Sequence, residues 1–284
     1  MISRHLILYR GKENSRVDEV IESIESWCEA NEVTLREVAN RHEIQQAVDS
    51  NDEKTVLLSL GGDGTFLQAA DLIAPYRIPI LGVNLGKLGF LTGLDSSELA
   101  ENLSKIFEGE SAIKELSRLR CDLEPTGSGG NSVYTALNEV TISRGDAAGL
   151  AEVELFLDSK KVATYPGDGL IVSTPTGSTA YSLSCGGPLI TRNTSAFSIT
   201  PLNVHKLGLR PIICSDETEI RIRTNTPVSV QIDGRDIGNL EEGSTIAIDK
   251  AETPTLMLVP ESRSNFFETV RNKLNWDKDR GSRA

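Results

Sequence analysis

Between residue 5 and about residue 110, short apolar runs alternate with amphipathic stretches. "HLILY" predicts a strand, and Val20, Ile21, Ile24 and Trp27 recur at helical spacing within a predicted helix from Val17 to Asn31. "TVLLSL" and "IPILGVN" predict further buried strands, separated by helical runs. This alternation predicts an α/β domain with a mostly parallel, Rossmann-like sheet. After about residue 115 the period drops to two: "VELFLD", "EIRIRT", "VSVQID", "TIAID" and "TLMLV" alternate apolar and polar positions between turn residues. A second, largely β domain is expected there. The stretch "SRSNFFETVRNKLNW" returns to helical spacing, with Phe266, Val270 and Leu274 four residues apart, and is expected to pack back on the first domain. The boundaries so drawn are 1–115, 116–260 and 261–284, with residues 277–284, "DKDRGSRA", expected to be disordered. "EPTGSGGNS", residues 124–132, reads as a flexible hairpin loop whose glycines do not fit G-x-G-x-x-G.

A chain of 284 residues has room for two such domains. Its net charge of -12 argues against a nucleic-acid or anionic-membrane surface, both of which need clustered Lys and Arg. A phosphate-rich substrate would have to arrive with a metal or meet a local basic pocket. Cys28, Cys121, Cys185 and Cys214 show no C-x-x-C spacing, so free thiols in a reducing compartment are expected. The apolar run in "MISRHLILYRGKENS" is too short for a signal peptide, and no stretch of eighteen consecutive apolar residues occurs; cytoplasm is the expectation.

Two loops carry candidate chemistry. In "LSLGGDGTFLQAA", residues 58–70, three glycines surround Asp63 between a strand and a helix, at the strand end where open α/β sheets bind ligands. Amides at the helix start could hold phosphate oxygens. A carboxylate that close to phosphate repels it unless it binds Mg²⁺ or accepts a proton from an attacking hydroxyl, and both roles belong to phosphoryl transfer. A helix-capping aspartate is the plainer alternative. Neither a P-loop lysine motif nor G-x-G-x-x-G after the first strand is present. The second loop, "GDGLIVSTPTGSTAYSLSCGGP" (167–188), gathers Ser173, Thr174, Thr176, Ser178, Thr179, Ser182 and Ser184 with five glycines around Tyr181. It lacks the charge expected of a disordered linker, and its hydroxyls suit a neutral polar ligand such as a nucleoside.

With "GGDGT" (61–65), "LGFLT" (88–92), "NEV" (138–140) and "DGLIVSTPTGSTAYSLS" (168–184) in that order, the chain resembles the NAD kinases. These phosphorylate the 2′-hydroxyl of the adenosine ribose of NAD with ATP. The resemblance implies that Asp63 is the proton acceptor, with Gly64 beside it. It implies that Asn138 and Glu139 contact the dinucleotide, Asp168 the nicotinamide end, and Thr179, Ala180, Tyr181, Ser182 and Ser184 the adenosine. It also implies Mg²⁺, a β-sandwich-like second domain and a homodimer or homotetramer. "GGDGT" alone is shared with lipid kinases, so a GGDGT-type lipid kinase and a catalytically inactive dinucleotide sensor remain alternatives.

Where many bacterial relatives carry arginine two residues before the aspartate of the long motif, this chain has Pro166. Arg235, in "QIDGRD", is a candidate substitute for the basic contact to substrate phosphate that this arginine would make, against a solvated hairpin arginine. His205 and Asn203, in "TPLNVHKLGLRP", fall in a region that in the family approaches a neighbouring subunit, although a loop histidine is commonly structural. Lys87 is a candidate for ATP phosphates or an ordinary surface lysine. His5 and His42 belong to no visible constellation.

Overall fold

A computed structural model describes residues 4–11, 15–48, 54–86, 89–126, 130–145, 149–260 and 265–276. The expectations for Lys87, Leu88, residues 127–129 and the 277–284 tail fall outside them. The chain divides into two compact units, Met1–Ile73 with Ile78–Lys114 and Leu256–Ala284, and Ala74–Arg77 with Glu115–Thr255.

In the first unit β1 (Arg4–Arg10), α1 (Ser15–Ala30), β2 (Val33–Glu37), α2 (Arg41–Val48), β3 (Lys54–Leu60), α3 (Asp63–Leu72) and β4 (Ile80–Asn84) follow the expected alternation. Then come β5 (Leu94–Asp95), α4 (Leu99–Glu108) and β6 (Ala112–Leu116). The sheet runs β2-β1-β3-β4-β19-β6 with β5 beside β4, where β19 is Thr255–Val259. The pairs β1/β2, β1/β3, β3/β4, β4/β5 and β4/β19 are parallel. The last five residues of β3 are all buried, because helices cover both faces of such a sheet and leave no polar alternation. Leu6, Leu8, Leu58 and Leu60 pack with Val17, Ile24, Leu103 and Phe107, and Trp27 stacks on Phe107 at 5.9 Å.

One assignment needs correcting: "TLMLV" is not a strand of the β domain but β19, with Met257 level with Ile80 of β4. Period two over five residues states that a strand forms, not which sheet takes it. The closing helix, α6 (Phe266–Leu274), is capped by Asn265, whose side-chain oxygen accepts from Phe267 N–H at 3.0 Å. Of its three stripe residues Val270 is fully buried, and Lys273 Nζ sits 4.8 Å over the Phe90 ring.

The second unit contains two antiparallel six-stranded sheets. Its strands are β7 (Leu119–Glu124), β8 (Ser132–Ala136), β9 (Glu139–Ser143), β10 (Ala151–Leu157), β11 (Lys160–Gly167) and β12 (Gly169–Ser173). After the short helix α5 (Tyr181–Ser184) follow β13 (Ala196–Leu202), β14 (Ile212–Ser215), β15 (Ile220–Thr224), β16 (Val228–Ile232), β17 (Arg235–Leu240) and β18 (Thr245–Lys250). One sheet is ordered β11-β10-β15-β18-β7-β8, the other β14-β13-β12-β9-β16-β17. Val153, Leu155, Ile220, Ile222 and Ile248 of the first share one core with Val140, Ile142, Val172, Phe197, Ile199 and Val230 of the second, which makes the unit a sandwich. The predicted fold class, a mostly parallel α/β domain followed by a largely β sandwich, is the one observed.

Candidate active site

The first unit explains why a glycine loop carries an acid. Chain leaves β3 at Leu60, turns through Gly61 and Gly62, and enters α3 at Asp63, in the first turn rather than at the cap. The Asp63 carboxylate reaches across to the 89–92 segment. Its Oδ2 accepts from Phe90 N–H at 2.8 Å, and its Oδ1 from Leu91 N–H at 2.9 Å, Thr92 N–H at 3.1 Å and Thr92 Oγ1 at 3.2 Å. Each carboxylate oxygen has about two lone-pair positions, and Oδ2 takes one of these donors against three on Oδ1, which leaves it room for one more. Gly89 is required for this approach, since a Cβ there would lie 1.9 Å from Asp63 Oδ1. Beside Gly62 and Gly64, by contrast, a Cβ would meet nothing within 4 Å. The turn therefore sets an acidic oxygen with room for another donor near the first amides of a helix, with open space above Gly62 and Gly64.

The second unit repeats the device. The 137–139 turn between β8 and β9 delivers its three amides to Asp233: Leu137 N–H donates to Oδ2 at 2.8 Å, and Asn138 and Glu139 N–H to Oδ1 at 2.7 and 3.0 Å. From the other side Thr174 Oγ1 donates to Leu137 O at 2.6 Å and Thr174 N–H to Asn138 O at 2.9 Å. A Cβ on Gly177 would fall 2.2 Å from that same Asn138 carbonyl. Sequence reasoning missed Asp233; the Asp-Gly pair between two period-two strands in "QIDGRD" was its only signal.

The hydroxyls of 173–184 mostly face inward. Ser173 Oγ donates to Thr174 O at 3.0 Å and Ser178 Oγ to Pro175 O at 2.6 Å, while Ile190 N–H donates back to Ser178 Oγ at 3.0 Å. Thr179 Oγ1 donates to Thr176 O at 3.1 Å, and Ser182 Oγ pairs with Thr200 Oγ1 at 3.0 Å, fully buried. They stitch an irregular segment whose buried backbone lacks sheet partners. Tyr181 and Ser184 are exposed, and Thr179 and Ala180 half-buried.

Glu139 is 6 % exposed; one carboxyl oxygen accepts from Tyr181 N–H, and the other, Oε2, has no hydrogen-bond partner. Burial first, then the neighbouring Asp233, push its carboxyl up to about 8 against the pull of the Tyr181 amide. Burial raises Asp233 as well, opposed by three amides and by the Arg118 guanidinium. An acid raised on folding loses stability as pH climbs from its unfolded value near 4.5 towards 8, and the full penalty stands above that. Glu139→Gln, which cannot ionise, is expected to melt above the wild type at about pH 9, the gap closing by about pH 5. Equal melting temperatures at both pH values would show that Glu139 ionises freely.

Asp168 opens the turn into β12. Its Oδ1 lies 3.1 Å from Arg144 Nε and its Oδ2 accepts from Asn203 Nδ2 at 2.8 Å. The basic partner of Asp168 is Arg144, one residue past the end of β9. Pairing of Ser143 with Gly169 brings Arg144 there, a register no motif discloses. Pro166 lies in β11 opposite Glu152, and Arg235 is exposed at the start of β17, opposite Ile232. Asn203 holds a left-handed φ of 42°, and His205, exposed, donates its amide to Pro166 O at 3.1 Å. His5 is buried in β1, and His42 in α2 neighbours Gln46 at 3.0 Å. Among the described residues no three His, Cys, Asp or Glu side chains converge as a metal cage.

Residues 11–111 match the ATP-NAD kinase N-terminal domain and residues 137–259 the ATP-NAD kinase C-terminal domain. The chain belongs to the ATP-NAD kinase family. An NAD kinase of Moorella thermoacetica is 41 % identical over 80 % of this chain and 72 % of its own length. One from Caldanaerobacter subterraneus subsp. tengcongensis is 36 % identical over 90 % of this chain and 93 % of its own. Among solved structures, an Archaeoglobus fulgidus NAD kinase in complex with ATP aligns with a TM-score of 0.77 at 26 % identity, covering 96 % of this chain and 98 % of its own. Yeast NADH kinase complexed with NADH shares the fold, with a TM-score of 0.86 at 23 % identity over 98 % of this chain and 89 % of its own. The family read from four motifs is thereby borne out, and two of those motifs, "LGFLT" and "NEV", contain the segments that Asp63 and Asp233 pin.

Proposed function

We infer that this chain transfers the γ-phosphoryl group of ATP to the 2′-hydroxyl of the adenosine ribose of NAD, giving NADP and ADP. The observation that carries this reading is Asp63: a carboxylate fixed by four donors, with one lone pair left for a fifth, at the start of a helix open above Gly62 and Gly64. Such an acid suits a ribose hydroxyl, a poor nucleophile that needs alignment and a late proton acceptor more than a strong base. As the 2′-oxygen bonds to γ-phosphorus, its proton passes to Asp63 Oδ2, the bond from phosphorus to the β,γ-bridging oxygen breaks, and ADP leaves with that electron pair. Gly64 borders the reacting hydroxyl. Asn138, Glu139, Asp168, Thr179, Ala180, Tyr181 and Ser184 are proposed to hold the dinucleotide, with Ser182 supporting them from beneath and Arg235 as a peripheral phosphate contact.

Mg²⁺ is proposed to enter as MgATP, offsetting the phosphate charge against a protein of net charge -12. The ATP bound to the Archaeoglobus protein supports ATP as donor. A lipid kinase is not favoured, because both matched domains are those of NAD kinases. A cytoplasmic homodimer or homotetramer is proposed on the family resemblance alone; among the described residues no helix is long and apolar enough to cross a membrane.

The purified chain with NAD, ATP and Mg²⁺ is expected to form NADP, read by an NADP-specific dehydrogenase, and to form none when any component is omitted. NADP bound tightly without turnover from ATP or polyphosphate would make the chain a sensor instead.

A further inference from the structure

No recognised motif points to Asp233, yet its carboxylate repeats what Asp63 does. It takes three consecutive amides, and its own N–H donates to Glu139 O at 3.0 Å, so both strands of the 137–139 turn are tied to one residue. Asp233 and Gly234 hold φ of 48° and 76°, the left-handed pair of a two-residue hairpin, which points the carboxylate inward. Beneath it Arg118, 1 % exposed, is fixed by Thr255 Oγ1 at 3.0 Å and Thr135 Oγ1 at 2.8 Å, and its charge acts on Asp233.

We propose that Asp233 is a positioning residue of the kinase reaction, fixing the backbone of Asn138 and Glu139 so that the unpaired Oε2 of Glu139 is aimed at the dinucleotide. The proposal rests on the function inferred above. A buried oxygen without a partner is rare in folded proteins and fits a place where a ligand supplies the partner. The aim of that oxygen depends on the torsions at 138 and 139, and one carboxylate sets both. Misplacing such a group by about 1 Å lowers turnover by about a hundredfold.

Charge gives the proposal a second readout. The groups facing Glu139 are Asp233 from the β16–β17 turn, and Tyr181 and Cys185 from α5 and its end. Of these, Asp233 is the one whose charge adds to burial in raising Glu139. The wild-type kcat/KM for NAD should therefore fall as Glu139 ionises near 8, and removing the Asp233 charge should move that fall to lower pH.

The test compares the full-length wild type with Asp233→Asn, Asp233→Glu and Glu139→Gln by steady-state kinetics across pH, beside thermal melting. In Asp233→Asn an amide N–H₂ faces Leu137 N–H, donor against donor. Its KM for NAD is expected to rise about tenfold or more, with KM for ATP within about twofold and the alkaline fall displaced to lower pH. Asp233→Glu should restore the pH position but not KM, and Glu139→Gln should abolish the fall. A folded Asp233→Asn with wild-type KM for NAD and an unmoved pH profile would reduce Asp233 to a structural clasp. Should that variant not fold, an alkaline fall that persists in Glu139→Gln overturns the proposal by itself. Absence of NADP formation by the wild type would instead defeat the functional reading on which it rests.

Discussion

Asp63→Asn is expected to lower kcat for NADP formation by about 10²- to 10⁴-fold, the usual worth of a general base. Two effects are superimposed in this variant. Asparagine keeps an oxygen for the three donors now on Oδ1, but its N–H₂ faces Phe90 N–H, where Oδ2 accepted at 2.8 Å. Losing that charge-assisted bond should destabilise the 89–92 segment by about 1–3 kcal/mol, visible as a lower melting temperature. Loss of the proton acceptor should appear in kcat at saturating NAD and ATP, where binding defects no longer count. The two are therefore separable in one set of measurements. A variant that melts lower yet turns over at nearly the wild-type rate would make Asp63 a clasp for the 89–92 segment and nothing more. Asp63→Ala sharpens the contrast, since it removes all four bonds along with the base.

What the sequence discloses divides along physical lines. Period alone separates the α/β part from the β part, because burial on two faces and on one face leave different patterns. Asp63 is legible because an acid among glycines at a strand end has few uses. Its partner is not: the four bonds end on residues 27–29 positions away, three of them on backbone amides, which carry no side-chain signature. Gly89 is the only trace, and a glycine has many explanations. Asp233 is hidden in the same way, since its ligands are the amides of Leu137, Asn138 and Glu139, some 95 residues earlier. Arg144 meets Asp168 through strand register, and β19 joins the first sheet although it follows the last strand of the sandwich. In the 173–184 segment, composition indicates many hydroxyls but not their direction, and most are spent on the protein's own carbonyls.

Gly177→Ala tests that stitching with the second large effect. The new Cβ would lie 2.2 Å from Asn138 O, 2.5 Å from its carbonyl carbon and 2.7 Å from its Cα, all backbone and all held from the far side by Asp233. At Gly89 the obstructing atoms are side chains, which have rotamers to try; at Gly177 nothing yields without moving the 137–139 turn. A displacement of about 1 Å there is expected to lower kcat/KM for NAD by about a hundredfold, with overpacking strain of about 1–3 kcal/mol appearing as a lower melting temperature. Gly64→Ala is the paired control. Apart from its own chain neighbours and helix backbone, no protein atom lies within 4 Å of the added methyl group, so little in the fold opposes it, and activity lost at an unchanged melting temperature points to a ligand that occupies that space. Wild-type kinetics in Gly177→Ala would detach the 174–177 segment from the placement of Asn138, whereas wild-type kinetics in Gly64→Ala would move the reacting hydroxyl away from the start of α3.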